Sequence, residues 1–104
     1  MLTPTEIDTL VRQIVARIQP KKVIIFGSYA KGTATIKSDL DICVIVETEL
    51  PMAHRADDLK PMLYYSVIPI DVHVYTPQEV EEYSKEQFSF IDSVIKSGRI
   101  VFDE

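Results

Sequence analysis

Basic residues are in the minority: eleven Lys and Arg face sixteen Asp and Glu, a net charge of −5. Holding a nucleic-acid backbone needs a clustered Lys/Arg face, so direct nucleic-acid contact is not expected. A single cysteine, Cys43, allows no internal disulfide and fits a reducing, cytoplasmic setting. The three glycines, at positions 27, 32 and 98, are spaced too widely for a Gly-x-Gly-x-x-Gly dinucleotide fingerprint. No apolar run approaches the length of a membrane span, and the opening MLTPTEID is too polar and acidic for a signal peptide. A chain of 104 residues has enough surface to bury one core and not two, so residues 1–104 are read as one domain.

Periodicity divides the chain into alternating elements. Thr3-Pro4-Thr5-Glu6 is a capping box, and Ile7, Leu10, Val11, Ile14, Val15 and Ile18 follow at helical spacing, predicting a helix over Pro4 to Ile18. Lys22 to Phe26 is a short β-branched apolar run, a buried strand. Ser28 to Lys31 makes one helical turn stopped by Gly32, residues 33–38 form a polar loop, and Asp39 to Val46 is the second strand. Met52 to Tyr65 reads as a helix that Pro61 kinks or shortens. Pro69 to Tyr75 alternates cleanly, with Ile70, Val72 and Val74 on one face and Asp71, His73 and Tyr75 on the other. Thr76-Pro77-Gln78-Glu79 is a second capping box, opening a helix to about Lys96 that Gly98 ends. Arg99 to Phe102 is a last short strand or an extended tail. This order gives an α/β fold, a small mixed β-sheet with helices packed on one side.

The chemistry-bearing stretch is Phe26 to Val46, FGSYAKGTATIKSDLDICVIV. Alternation along a strand puts Asp39 and Asp41 on one face while Leu40 and Ile42 enter the core. Two carboxylates roughly 7 Å apart on one face repel unless cations sit between them, and hard oxygen donors suit Mg²⁺ shared with substrate phosphates. Gly27 and Ser28 offer backbone N–H groups and a hydroxyl where anions are stabilised. Gly27 and Gly32 have the spacing of the two Walker A glycines, but Thr33 stands where that motif needs Lys. Asp71 lies in an otherwise apolar strand, where an ionised carboxylate is costly unless paired or metal-bound. Beside Asp39 and Asp41 it would complete a three-carboxylate cluster.

Gly27-Ser28-Tyr29-Ala30-Lys31-Gly32, then five residues, then Ser38-Asp39-Leu40-Asp41 resembles the signature of the minimal nucleotidyltransferases of the DNA polymerase beta superfamily. That family usually carries Arg where Lys31 stands, so Lys31 would meet a phosphate as a point charge without a bidentate fork. Ile70-Asp71-Val72 is similar to the family's third-Asp strand. The resemblance implies a polymerase beta-like fold with Asp39, Asp41 and Asp71 catalytic and holding two Mg²⁺ ions. Gly27, Ser28, Lys31 and Ser38 would be on the nucleotide, although Ser38 also reads as a plain loop hydroxyl. His73 reads as a structural histidine, Cys43 as a small buried side chain and His54 as solvated. With ATP as substrate, the implied partner is a HEPN-type RNase toxin whose tyrosine hydroxyl receives AMP, this chain being the antitoxin. Residues around Met62 to Ile68, with Phe88, Ile91 and Ile95, are candidates for the docking surface. Two alternatives stand beside it: a nucleotide-binding antitoxin acting by occlusion, and one subunit of a two-chain small-molecule nucleotidyltransferase.

Overall fold

The computed structural model describes residues 1–87 and 89–104. Helix α1, Pro4–Ile18, opens at the expected box: Thr3 Oγ1 accepts from Glu6 N–H at 3.2 Å and Glu6 Oε1 accepts from Thr3 N–H at 2.9 Å. Strand β1, Lys22–Phe26, runs into the four-residue helix α2, Ser28–Lys31, and strand β2 spans Leu40–Ile45. Asp39 is therefore the residue before β2 rather than its first member. Strand β3, Ile70–Tyr75, is followed by helices α4, Pro77–Tyr83, and α5, Phe90–Ser97, and strand β4, Arg99–Asp103, closes the chain. The sheet order is β3-β2-β1-β4. β1 pairs antiparallel with both β2 and β4, while β2 and β3 are parallel, so the sheet is mixed.

Helices cover both faces of the sheet, not one. Ile7, Val11 and Ile14 of α1 pack on Val23, Ile25, Leu40, Ile42 and Val44. On the other face Ile91 and Val94 of α5 pack on Ile24, Cys43 and Ile45, with Val80 and Tyr83 of α4 at the margin. The signal was present in the strands: Val23-Ile24-Ile25 and Ile42-Cys43-Val44-Ile45 are consecutive buried residues, the pattern of strands covered twice.

Two expected helices are not continuous. Residues 52–65 fold as two 3-10 turns, Met52–His54 and Asp57–Leu59, then helix α3, Lys60–Tyr64. Pro61 lies in the first turn of α3, where its missing N–H costs nothing, so it starts a helix here and does not kink one. The helix predicted from Thr76 to Lys96 stops at Tyr83 and restarts at Phe90. Ser89 makes the restart: its Oγ accepts from Asp92 N–H at 3.1 Å and donates to Tyr83 O at 2.9 Å. Phe88, named as a docking candidate, lies outside the described residues.

One cross-chain clasp had no sequence motif. Arg55 reaches from the crossover between β2 and β3 to Glu79 at the head of α4, Nη1 to Oε1 at 2.6 Å and Nη2 to Oε2 at 3.3 Å. Its Nε also donates to Leu50 O and its Nη1 to Val74 O. The guanidinium fork thus ties the crossover to the far end of β3. Among the described residues no helix is long and apolar enough to cross a membrane.

Candidate active site

The end of β1 and the starts of β2 and β3 lie at the same end of the sheet, because β1 runs against its neighbour and β3 runs with it. Phe26 pairs with Asp41 in one register and Asp41 with Asp71 in the next, so the three form a row across adjacent strands. The neighbouring strands are about 4.8 Å apart, which places the Asp41 and Asp71 side chains beside each other on one face. This is the face that carries Cys43 and Ile45 further along β2, while Leu40 and Ile42 are fully buried on the opposite one.

The electrostatics follow from that row. Asp41 is half-buried, and its carboxyl is pushed above the usual carboxylate range, first by loss of water and then by the negative charges of Asp71 and Asp39. His73 works in the opposite direction. Asp71 itself is solvent-exposed on the edge strand, so the argument that its burial would be costly does not hold. Register, and not desolvation, is what associates Asp71 with Asp41. Asp39 is exposed one residue ahead of β2 and is felt at Asp41 less than Asp71 is.

Gly27 completes the corner. Its backbone is at φ 73°, ψ −152°, a region that residues with a Cβ essentially avoid. A Cβ built there would overlap Asp41 Oδ2 and stand 3.2 Å from Asp41 Cγ. The turn and the carboxylate are therefore in direct contact, which spacing in the sequence did not reveal. Beyond it, Gly27 O accepts from Lys31 N–H at 3.1 Å and Ser28 O from Thr33 N–H at 3.0 Å, which close the short turn of α2 on itself. Lys31 is exposed on the last turn of α2. Ser38 holds the loop before Asp39: its Oγ accepts from Thr35 N–H at 2.8 Å and its N–H donates to Thr35 O.

Among the described residues no three His, Cys, Asp or Glu side chains already enclose a metal position. The donor set still suits a hard divalent cation. Asp41 and Asp71 stand side by side in register, Asp39 is two residues up the chain, and a cation would offset both the loss of water and the neighbouring negative charges that raise Asp41. Cys43 offers nothing of the kind, since burial pushes its thiol up to about 12. His73 packs between rings, 5.8 Å from Phe26 and 4.9 Å from Phe90 between centroids, in keeping with the structural reading. His54 is exposed against Asp57 at 3.0 Å, away from this row.

A model of the nucleotidyltransferase domain matches residues 7–101. The chain belongs to that family. The nucleotidyltransferase is 32% identical over 84 residues to "Putative protein adenylyltransferase MJ0604" of Methanocaldococcus jannaschii, an alignment that covers 79% of this chain and 78% of the relative. Its fold is shared by a chain of a toxin–antitoxin crystallised with AMP-PNP, at TM-score 0.65 and 19% identity over 93% of this chain and 73% of that one. A chain in a mutant form of the toxin–antitoxin MntA-HpeT aligns at TM-score 0.59 and 16% identity, over 99% of this chain and 75% of that one. At such identities the two structures speak to fold alone, and they agree on the small mixed α/β architecture of this nucleotidyltransferase.

Proposed function

We propose that this nucleotidyltransferase moves AMP from ATP to a hydroxyl of a partner protein, a tyrosine of a HEPN-type RNase toxin, and so acts as the antitoxin. The reading is carried by one observation: Asp41 faces Asp71 across parallel strands while Gly27 packs directly on the Asp41 carboxylate. A phosphate-binding turn and a carboxylate pair are thereby in contact. The protein-adenylyltransferase name of the Methanocaldococcus relative supports the choice of group and acceptor. The fold shared with toxin–antitoxin chains, one of them with AMP-PNP, supports the choice of partner and nucleotide.

Each residue then has a part. Gly27 N–H and the Ser28 hydroxyl would hold the β- and γ-phosphates, with Lys31 as an additional positive charge. Ser38 would keep the 33–38 loop shaped so that Asp39 stays at the mouth of the site. Asp39, Asp41 and Asp71 would hold two Mg²⁺ ions, which when bound supply charge neutralisation on the triphosphate and acidify the attacking hydroxyl. Asp71, exposed on the edge strand, is the carboxylate an incoming hydroxyl can reach, and it would accept that proton. The acceptor oxygen bonds to the α-phosphorus, the bond to the bridging oxygen breaks, and pyrophosphate leaves. The protein's contribution to the rate is placement and electrostatics.

The test is intact-mass measurement of the co-purified partner after incubation with ATP and Mg²⁺. One or more added AMP groups on a tyrosine, absent with the Asp39→Asn/Asp41→Asn double variant, is the expected result. A stable complex with no added mass would mean that the partner is silenced by occlusion. Transfer only to a hydroxylated small molecule would mean a different acceptor class.

A further inference from the structure

The row of carboxylates has an aromatic wall behind it. Phe26 shares the row with Asp41, and His73 follows Asp71 by two residues on the same face of β3. Phe90, the first residue of α5, meets both: its ring centroid is 5.3 Å from Phe26, edge to face at 82°, and 4.9 Å from His73. β1 and β3 are two strand spacings apart, about 9.6 Å. Rings that touch from either side therefore close over the intervening strand, above Cys43 and one side-chain step from Asp41. Tyr75 supports Phe90 from further along β3, at 6.1 Å.

Packing on the core accounts for Ile91 and Val94 of α5, but not for Phe90, which stays 41% exposed. An apolar ring held in orientation by three neighbours and left open beside a phosphate-transfer site is suited to receive a flat group. A single ribose links the base to the α-phosphorus, so a nucleoside triphosphate gripped at Gly27 and Asp41 has its base within one sugar's reach of that corner, the reach at which this wall stands.

We propose that Phe90, backed by Phe26 and His73, is the stacking subsite for the nucleobase of the triphosphate. The inference rests on the nucleotidyltransfer reading above and adds the base contact to it. Every base has a π-face, so such a wall sorts by ring area more than by edge pattern. Its one polar tip is the His73 imidazole. The subsite should therefore prefer purine over pyrimidine triphosphates.

Titration calorimetry with ATP, CTP and inorganic tripolyphosphate, each with Mg²⁺, tests it on the unaltered chain and on Phe90→Ala and Phe90→Leu; the Leu variant keeps apolar bulk without a ring. Both variants are expected to bind ATP about tenfold more weakly, CTP by a smaller factor, and tripolyphosphate unchanged. Equal weakening of ATP and tripolyphosphate, or unaltered ATP affinity, overturns the subsite. Loss of transfer to protein with ATP affinity intact would give the wall to the acceptor's ring, and also overturns it. If the unaltered chain binds tripolyphosphate as tightly as ATP, the base contact falls while the triphosphate site stands. If it binds neither, the transfer reading falls as well.

Discussion

Replacing Gly27 by alanine tests the corner on which the site depends. The backbone there, φ 73° and ψ −152°, lies in a region nearly reserved for glycine, which costs a residue with a Cβ about 2 kcal/mol. The new methyl group would also overlap Asp41 Oδ2, and moving a packed carboxylate aside adds a further ~2 kcal/mol. At an unfolding entropy of about 2.1 cal/mol/K per residue, a loss near 4 kcal/mol lowers the melting temperature of a chain this long by about 18 °C. Gly32→Ala is the internal control: φ is 75° but no atom lies within 4 Å of its added Cβ, so only the backbone cost of about 1 kcal/mol remains. Thermal melts of Gly27→Ala, Asp41→Ala and the double variant separate the two contributions. With the carboxylate gone, the nearest part of residue 41 is its Cβ at 3.5 Å, ordinary contact, and the Gly27→Ala penalty should shrink by about 2 kcal/mol. AMP transfer by Gly27→Ala should fall on the order of 100-fold, since a displaced carboxylate misplaces the reacting groups. A coupling energy below about 0.5 kcal/mol would refute the claim that turn and carboxylate are in contact.

Asp39→Asn/Asp41→Asn should abolish transfer while leaving the metal-free fold as stable or up to about 1 kcal/mol more stable at neutral pH, because like charges about 5 Å apart repel by that order. Since the folded protein holds the Asp41 proton more tightly than the unfolded chain, the unaltered protein loses stability as pH rises through that raised pKa. Urea melts from acid to neutral pH should show the double variant lacking this loss. Arg55→Ala should cost about 3 kcal/mol, because it strands the Glu79 carboxylate and frees the crossover. Arg55 holds Glu79 below its ordinary range, so its stabilisation is present above that range and lost on acidification; the variant's acid limb should be flatter, by the same melts. Ser89→Ala should cost about 1 kcal/mol and show first as faster amide exchange in α5, measured by hydrogen–deuterium exchange.

Much of the architecture was legible because local chemistry and tertiary packing agreed. The two Thr-Pro-x-Glu boxes open α1 and α4 as written, and the two mostly apolar strands β1 and β2 were found within a residue. Errors came where local pattern competed with a less obvious cap or a proline. Ser89 interrupts what reads as one long helix because its hydroxyl both takes the Asp92 N–H and closes the preceding helix through Tyr83 O. Around Pro61 periodicity proposed one long helix, whereas the proline sits in the first turn of the short α3 and marks where that helix begins. In the site, spacing alone found the Asp39-Leu40-Asp41 pair, since a strand's period of two needs no tertiary knowledge. Asp71 was expected beside this pair, but its register opposite Asp41, the packing of Gly27 on that carboxylate and the meeting of Phe90 with Phe26 and His73 are products of strand order and register. Those are long-range quantities that no single segment carries.

The pairing of one antiparallel and one parallel neighbour around β2 makes this chemistry digital. Extra residues inserted near position 49 would only lengthen a connection at the opposite end of the sheet from the carboxylates. Deleting a single residue from β2 itself would rotate its far side outward, bringing Leu40 or Ile42 opposite Asp71 where an acid belongs. Variation in this protein should thus be generous in the crossover and nearly forbidden in strand length, whatever the replacement residues are.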